Sequence, residues 1–362
     1  GRVSDQDGHP ISNVRITAGG ASALTDVNGN YWLPVSPGTY TVSASKDYYS
    51  FSSWPEVTVP PSVIGIDFQG ELEKTPVILV PGFLATYNFD CLFYDNKCDD
   101  QDAWYWTDSG VYQKLISDLA AVGYSKENHF LTVFYYDWRQ PISDNGDKLG
   151  QLIREVKELT GTHQVDLIGH SMGGLVARAY IQSEFYNNDV TNLITLGSPH
   201  NGTGVAYPAW EGIDLRYFDS NYFTEFGIKV LVIGLYKAIS REMAIPALRV
   251  YLPSGMDLLY TEDYLFANTD NSLIPETDMI HRNWFLEILN SDIDTLLTRT
   301  KVTTIAGQGY ETPALFYVYP YDQADYLYWV DGEPNWDRES EFMNIMGDGV
   351  VLSNSAIVPG SN

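Results

Sequence analysis

Apolar and polar positions alternate in short runs over the first seventy residues, at 14–17, 31–33 and 40–45, with turn pairs at Asp7-Gly8, Asn28-Gly29 and Pro37-Gly38. A period of two is the pattern of half-buried strands. Asn28-Gly29, set between residues 24–26 and 31–33, predicts a hairpin, because both residues accept the left-handed backbone of a two-residue turn. Residues 1–70 are therefore expected to form a small all-β sandwich, running through Pro55, Pro60 and Pro61 into a linker. This part contains no cluster of catalytic side chains. Tyr48, Tyr49 and Trp54 suggest either a carbohydrate platform or, more plainly, packing in a core or interface.

The period changes from Thr75 onward. Residues 77–80 are continuously apolar, as in a strand buried on both faces. A helical pattern over 111–122 stops at Gly123, a strand is expected over 130–135, and a helix over 147–159. A strand from Val165 then runs into Gly169-His170-Ser171-Met172-Gly173, and a helical pattern continues to about Phe185 before further strands at 192–196 and 302–306. Such β-α alternation predicts a mainly parallel, doubly wound sheet, with its site at the carboxyl ends of the strands. The G-x-S-x-G spacing between strand and helix is that of a nucleophile elbow. Small residues on either side of Ser171 allow the sharp turn, and the following helix directs its N–H groups at an oxyanion. The fold class expected for residues 71–362 is thus an α/β hydrolase with Ser171 as nucleophile.

Two stretches interrupt the alternation. Residues 198–298 carry aromatic-rich helical patches at Tyr217-Phe218, Tyr222-Phe223, 230–236 and 284–289, and are expected to form a lid above the elbow or, as the lesser reading, ordinary helical packing on the outside of the sheet. Residues 90–108, with Phe93, Tyr94, Trp104, Tyr105 and Trp106, offer a second apolar rim. Exposed aromatics beside a site suit lipid-like substrates, met as dispersed esters or at a lipid–water interface.

Charge narrows the partners. Lys and Arg total 21 against 47 Asp and Glu, a formal net charge of -26 with a pI near 4.3. That surface repels phosphate backbones and anionic membranes, so nucleic acid is not an expected partner. No run of eighteen apolar residues is present to span a bilayer. Cys91 and Cys98 are either two thiols or, given their short separation, a loop-closing disulfide formed in an oxidising compartment. A zinc site there would lack ligands beyond Asp95, Asp99 and Asp100. The chain begins at Gly1, which reads as a processed or excised piece.

Acyl transfer needs a nucleophile, a base, an acid that orients the base, and oxyanion donors. The donors expected are the backbone N–H groups of Met172 and of Phe83, the latter in the Pro81-Gly82-Phe83 turn after the first strand. The expected acid is Asp348, between glycines in Gly347-Asp348-Gly349-Val350-Val351. The base is the difficulty, because the chain order of this fold is Ser, Asp or Glu, then His, and no histidine follows Asp348. His9 lies in the β module, His129 and His163 precede strands, and His170 sits inside the elbow. His200 and His281 follow the elbow and are the lesser candidates. The base is expected beyond Asn362, together with the last strand. The mechanism calls for no metal and no organic cofactor.

Four motifs from Pro76 onward resemble the lecithin:cholesterol acyltransferase family and its bacterial lipase-like relatives. They are Pro76-Val77-Ile78-Leu79-Val80-Pro81-Gly82, Tyr136-Asp137-Trp138-Arg139, the Gly169–Gly173 elbow, and Gly347-Asp348-Gly349-Val350-Val351 followed by Ser353 and Ser355. Gly307-Gln308-Gly309-Tyr310-Glu311-Thr312-Pro313 adds to them. The resemblance implies an esterase-type fold acting on acyl lipids, with Ser171 and Asp348 in triad positions and Cys91–Cys98 as a tightly spaced lid disulfide. Gly1-Arg2-Val3, Thr25-Asp26-Val27-Asn28-Gly29-Asn30-Tyr31 and Pro37-Gly38-Thr39-Tyr40 resemble carboxypeptidase regulatory-like, transthyretin-type modules, which implies a spacer or a unit that docks another domain or the cell surface. The function expected is that of a secreted or surface-attached serine carboxylester hydrolase of the lipase or phospholipase type. Transfer to an alcohol acceptor and a non-catalytic binding or adhesion protein are its rivals.

Overall fold

The computed structural model describes residues 1–94, 98–106, 109–217, 248–319 and 328–362. Residues 3–72 form two facing sheets. Ala21–Leu24, Arg15–Ala18, Gly38–Ser45 and Trp54–Val59 make an antiparallel sheet in that order, and Val3–Ser4, Phe68–Leu72 and Tyr49–Phe51 make the other. Val3, Ile11, Val14, Ile16, Ala18, Val42 and Phe68 fill the space between them. Asn28-Gly29 does turn, with Gly29 at φ +75° and Asp26 accepting the N–H groups of Gly29, Asn28 and Asn30. The expected hairpin is nevertheless a different one. Tyr31 leaves this turn to pair with Gly1, and its hydroxyl donates to the Ile66 carbonyl, so residues 31–33 add no strand. The hairpin instead joins Arg15–Ala18 to Ala21–Leu24 across Gly19-Gly20.

Tyr48 and Tyr49 face the rest of the chain rather than solvent. The Tyr48 ring lies 4.0 Å from that of Phe130 and its hydroxyl donates to the Gly123 carbonyl, while the Tyr49 hydroxyl donates to the Gly161 carbonyl. Interface packing, not a carbohydrate platform, is the role these two rings have. Trp54 is part-exposed and donates from its indole nitrogen to the Asp67 carbonyl.

The central sheet is parallel, in the order Leu131–Val133, Val77–Val80, Val165–His170, Val190–Leu196, Lys301–Ile305. All four residues of Val77–Val80 are buried, as their unbroken apolar run requires. Helix Ile142–Thr160 starts five residues before the sequence pattern predicts. Gly146 and Gly150 hide its first turns from a propensity reading, yet they let it close on Met172–Gln182. A β-carbon on Gly146 would stand 2.8 Å from the Ala179 β-carbon, and one on Gly150 2.5 Å from the Tyr180 ring.

The described part of residues 198–298 contributes to a second sheet. Leu265–Ala267 and Leu273–Ile274 join Phe316–Tyr319 and Glu333–Pro334 in a second, mixed sheet of four strands. The expected patch at 284–289 is the helix Trp284–Ser291, begun by Asn283 accepting the Leu286 N–H. It packs on the outside of the elbow helix, where Arg178 and Gln182 donate to Asn290 and to the Leu289 carbonyl. The patches Tyr222-Phe223 and 230–236 lie outside the described residues, as does Phe218. Cys91 and Cys98 are joined in a disulfide, with their α-carbons 4.7 Å apart. Among the described residues no helix is long and apolar enough to cross a membrane.

Candidate active site

The elbow strand ends at His170 and the helix begins at Met172, leaving Ser171 to make the whole reversal at φ +52°, ψ −127°. L-residues avoid this region, at a cost of about 1–3 kcal/mol that the surroundings must offset. The Ser171 N–H donates to the Leu196 carbonyl and the Gly174 N–H to the Ser171 carbonyl, which pins the backbone on both sides. Crowding explains the small residues around it. A β-carbon on Gly173 would lie 2.1 Å from the Val80 carbonyl oxygen, and one on Gly169 2.5 Å from the Gly174 α-carbon. The Ser171 side chain does not cap its helix and makes no hydrogen bond among the described residues. Its hydroxyl is therefore unspent, and the first N–H groups of the helix, Met172 included, have no acceptor within the helix.

The Pro81-Gly82-Phe83 turn closes on Ser171. A β-carbon on Gly82 would come within 2.9 Å of the Ser171 β-carbon and 3.0 Å of His170 Nδ1. The Gly82 N–H donates to the Tyr112 hydroxyl (3.0 Å), which lies 2.7 Å from His170 Nδ1. The Tyr112 hydroxyl thus bridges the Gly82 N–H and His170 Nδ1. Burial lowers the His170 pKa, with the Asp348 charge opposing. Burial also pushes the Tyr112 phenol well above its ordinary value. Sequence reasoning misses Tyr112: a tyrosine on a helix carries no local signal of a bond to residues 30 and 58 positions away. The Phe83 ring meets Trp138 edge-on at 5.0 Å and, with Ala206, Ala209, Trp210, Leu215, Leu248, Leu252 and Leu258, lines a narrow apolar cavity beside the turn.

Asp348 follows the strand Met343–Gly347, which pairs with Tyr310–Pro313. Its Oδ1 accepts the N–H groups of Val350 (3.0 Å) and Val351 (2.8 Å), fixing the carboxylate in its turn. Oδ2 has no hydrogen-bond donor among the described residues and packs against Gly197, 3.1 Å from where its β-carbon would be. Gly197 directly follows the strand whose Leu196 carbonyl holds the Ser171 N–H. One carboxylate oxygen is thus anchored and the other left open near the elbow. The shift that its charge exerts on His170 places it in the same electrostatic neighbourhood.

Among the described residues no histidine is hydrogen-bonded to Ser171. His200 is buried, with Nδ1 beside an Arg178 guanidinium nitrogen and Nε2 beside the Thr195 hydroxyl, both at 3.2 Å. Burial and the Arg178 charge hold its pKa well below the ordinary value. His281 Nδ1 contacts Glu211 Oε1 and stands 3.7 Å from Asp331 Oδ2. His129 is at φ +62° in the turn before Leu131–Val133. His9 and His163 meet at the seam between the β module and the central sheet.

Behind the Pro81-Gly82-Phe83 turn, Tyr136-Asp137-Trp138-Arg139 acts as a scaffold. The Tyr136 hydroxyl donates to the Pro81 carbonyl (2.6 Å), and the Trp138 indole to that of Thr86 (2.8 Å). Arg139 donates twice to Asp137 at 2.8 Å and also to the carbonyls of Cys91 and Leu92, with both charged side chains almost wholly buried. Burial alone disfavours the Arg139 charge, but Asp137 and, to a lesser extent, Tyr251 outweigh it and raise the pKa.

A parallel sheet wound with helices, and a strained serine between its third strand and the next helix, define an α/β-hydrolase fold. The matches to known families agree in place and kind. Residues 1–69 match the carboxypeptidase regulatory-like domain, and residues 139–211, which include the elbow, match the PGAP1-like alpha/beta domain. The chain is 35% identical over 85 residues to Structural protein 27 of a virus (isolate Australia/Victoria), an alignment covering 23% of this chain and 17% of that protein. It is 32% identical over 135 residues to a triacylglycerol lipase of Pseudarthrobacter phenanthrenivorans (37% and 35% of the two chains). It is 23% identical over 133 residues to lecithin-cholesterol acyltransferase-like 4 of Arabidopsis thaliana (36% and 24%). These alignments span about a third or less of the relatives' lengths. Among solved structures, Bacillus licheniformis lipase BlEst2 in mature form superposes with a TM-score of 0.37 at 17% identity, covering 80% of this chain and 81% of its own.

Proposed function

We propose that this chain is a serine-dependent carboxylester hydrolase for acyl lipids, of the lipase or phospholipase type. The observation that carries this is Ser171, held at a strained elbow with an uncommitted hydroxyl, next to an aspartate with one oxygen tied down and one open. Ser171 Oγ attacks the acyl carbonyl and passes its proton to a base, the N–H groups of Met172 and Phe83 hold the oxyanion, and the alcohol leaves with that proton. Water then adds to the acyl-enzyme by the same route and the acid departs, regenerating the serine. Asp348 Oδ2 is the group that would orient the base imidazole. His200 and His281 are engaged with Arg178, Thr195 and Glu211, and no described histidine is hydrogen-bonded to Ser171, so the base is a group that the described residues do not supply. The apolar cavity beside Phe83 supports an acyl chain as the group bound, and the similarity to triacylglycerol lipases supports a lipid ester. The disulfide and the net charge of -26 favour an extracellular or surface location.

Hydrolysis of p-nitrophenyl esters of increasing acyl length tests this reading. A general base contributes about 10²–10⁴-fold to rate. The 362-residue chain is therefore expected to turn over slowly and to be accelerated by added imidazole, which stands in for the base. The Ser171→Ala variant should show neither activity nor acceleration. Hydrolysis that survives Ser171→Ala would sink the assignment.

A further inference from the structure

The seam between the β module and the catalytic sheet carries a side-chain cluster that the ester chemistry does not use. Asp5 and His9 come from the first turn of the module, and His163 from the loop two residues before the elbow strand. Asp5 Oδ2 stands 3.1 Å from His9 Nδ1 and 3.5 Å from His163 Nε2, and the three atoms all lie within 4.8 Å of one another. The two imidazole rings are 4.4 Å apart, inclined at 47°. Asp5 Oδ1 accepts the N–H groups of Asp7 (3.0 Å) and His9 (2.8 Å), which fixes the carboxylate and turns Oδ2 toward the imidazoles.

We infer that Asp5, His9 and His163 form a binding site for a divalent transition-metal ion, zinc being the best fit, which ties the β module to the foot of the elbow strand. Around zinc, with metal–ligand distances near 2.0–2.1 Å, tetrahedral ligand atoms lie about 3.3 Å apart. The two oxygen–nitrogen separations here bracket that edge. Two imidazoles and a carboxylate suit zinc and its neighbours better than calcium or magnesium, which take oxygen ligands. The side chains of His9 and His163 are 54% and 42% exposed, which leaves room for water in the fourth position. Binding needs His9 neutral with its hydrogen on Nε2, so that the metal takes the Nδ1 lone pair that now faces Asp5. The elbow strand has six residues, about 20 Å of extended chain, between this cluster and Ser171. The ion is therefore a clamp between the two parts of the chain and no part of the ester chemistry. The other His-carboxylate group, Glu211, His281 and Asp331, already has the Arg249 guanidinium 3.7 Å from Glu211 and does not compete as well for a cation.

The test is zinc titration of the full chain, prepared without a histidine tag and freed of metal, followed by calorimetry and thermal unfolding. One equivalent of zinc should bind and raise the unfolding midpoint, and the effect should vanish in His9→Ala and in His163→Ala but persist in His281→Ala. Both module-side and strand-side residues are solvent-exposed, so these variants should fold. Independently of any variant, zinc should protect His9 and His163 of the unaltered chain from diethylpyrocarbonate, read by mass spectrometry. Absence of binding, or binding that is the same in His9→Ala and His163→Ala, or that depends on His281, would overturn the site.

Discussion

At the scale of single residues, the site is built from strain, crowding and hydrogen bonds to the Ser171 backbone, with none to its hydroxyl among the described residues. Ser171 stays at φ +52° because its N–H and carbonyl are both hydrogen-bonded, and Gly82, Gly169 and Gly173 leave room for the reversal. Replacing Gly173 by Ala sets a β-carbon 2.1 Å from the Val80 oxygen, so the strand or helix must shift. Such overpacking costs about 1–3 kcal/mol or more. A lowered urea midpoint together with lost reaction at Ser171 is the expected result. Tyr112→Phe strips the Gly82 N–H of its acceptor and His170 Nδ1 of its hydrogen-bond partner. Leaving buried groups unpaired costs about 1–3 kcal/mol, to be read as a fall in the denaturation midpoint. His200 gives a pH signature. Its folded pKa lies well below 6.5, so the unfolded chain takes up a proton first as pH falls. The stabilisation is complete above 6.5 and is lost as pH drops toward the folded value. Asp257, raised by burial to about 6, has the opposite slope, with its contribution full below 3.8 and lost as pH rises through 6. Urea midpoints measured from about pH 5 to about pH 7 should therefore rise less steeply in His200→Gln than in the unaltered chain. At this scale the sequence is informative where chemistry imposes spacing, as around Ser171 and between Gly347 and Gly349. It is silent on Tyr112, whose partners lie 30 and 58 positions away.

At the scale of elements, Asp137 and Arg139 hold the disulfide helix Phe89–Tyr94 beneath the Pro81-Gly82-Phe83 turn. Breaking a buried pair by removing one partner costs about 3–5 kcal/mol, so Arg139→Met should unfold far earlier in urea. The Asp137→Asn/Arg139→Met double variant should be less damaged than the sum of the two singles predicts. The sheet strands are legible because burial on both faces demands continuous apolar runs, as in Val77–Val80. Helix Ile142–Thr160 is legible only from its middle, because Gly146 and Gly150 serve its contact with a neighbour rather than its own propensity. The module's hairpin misleads for a similar reason. Asn28-Gly29 specifies a turn, but which strand the chain meets afterwards is decided by Gly1 and Ile66, far away in sequence. The second sheet escapes a pattern reading because its strands are two to four residues long and its two middle strands, Leu265–Ala267 and Phe316–Tyr319, lie more than forty positions apart.

At the scale of the whole molecule, a regulatory-like β module packs through Tyr48 and Tyr49 against the loops at the lower edge of a hydrolase sheet, while Ser171 and Asp348 sit at the carboxyl ends of its strands. Both parts are recognisable in outline from period and motif; the seam between them is not, because it is made of single contacts between distant residues. The central claim, that Ser171 is the nucleophile of an acyl-transfer site, is tested most directly by fluorophosphonate labelling of the 362-residue chain, with the adduct located by mass spectrometry. The adduct is expected on Ser171 alone, forming slowly and faster with added imidazole, with Ser171→Ala unlabelled and Asp348→Asn losing much of the imidazole acceleration. Labelling at another residue, or none even with imidazole, would contradict the account.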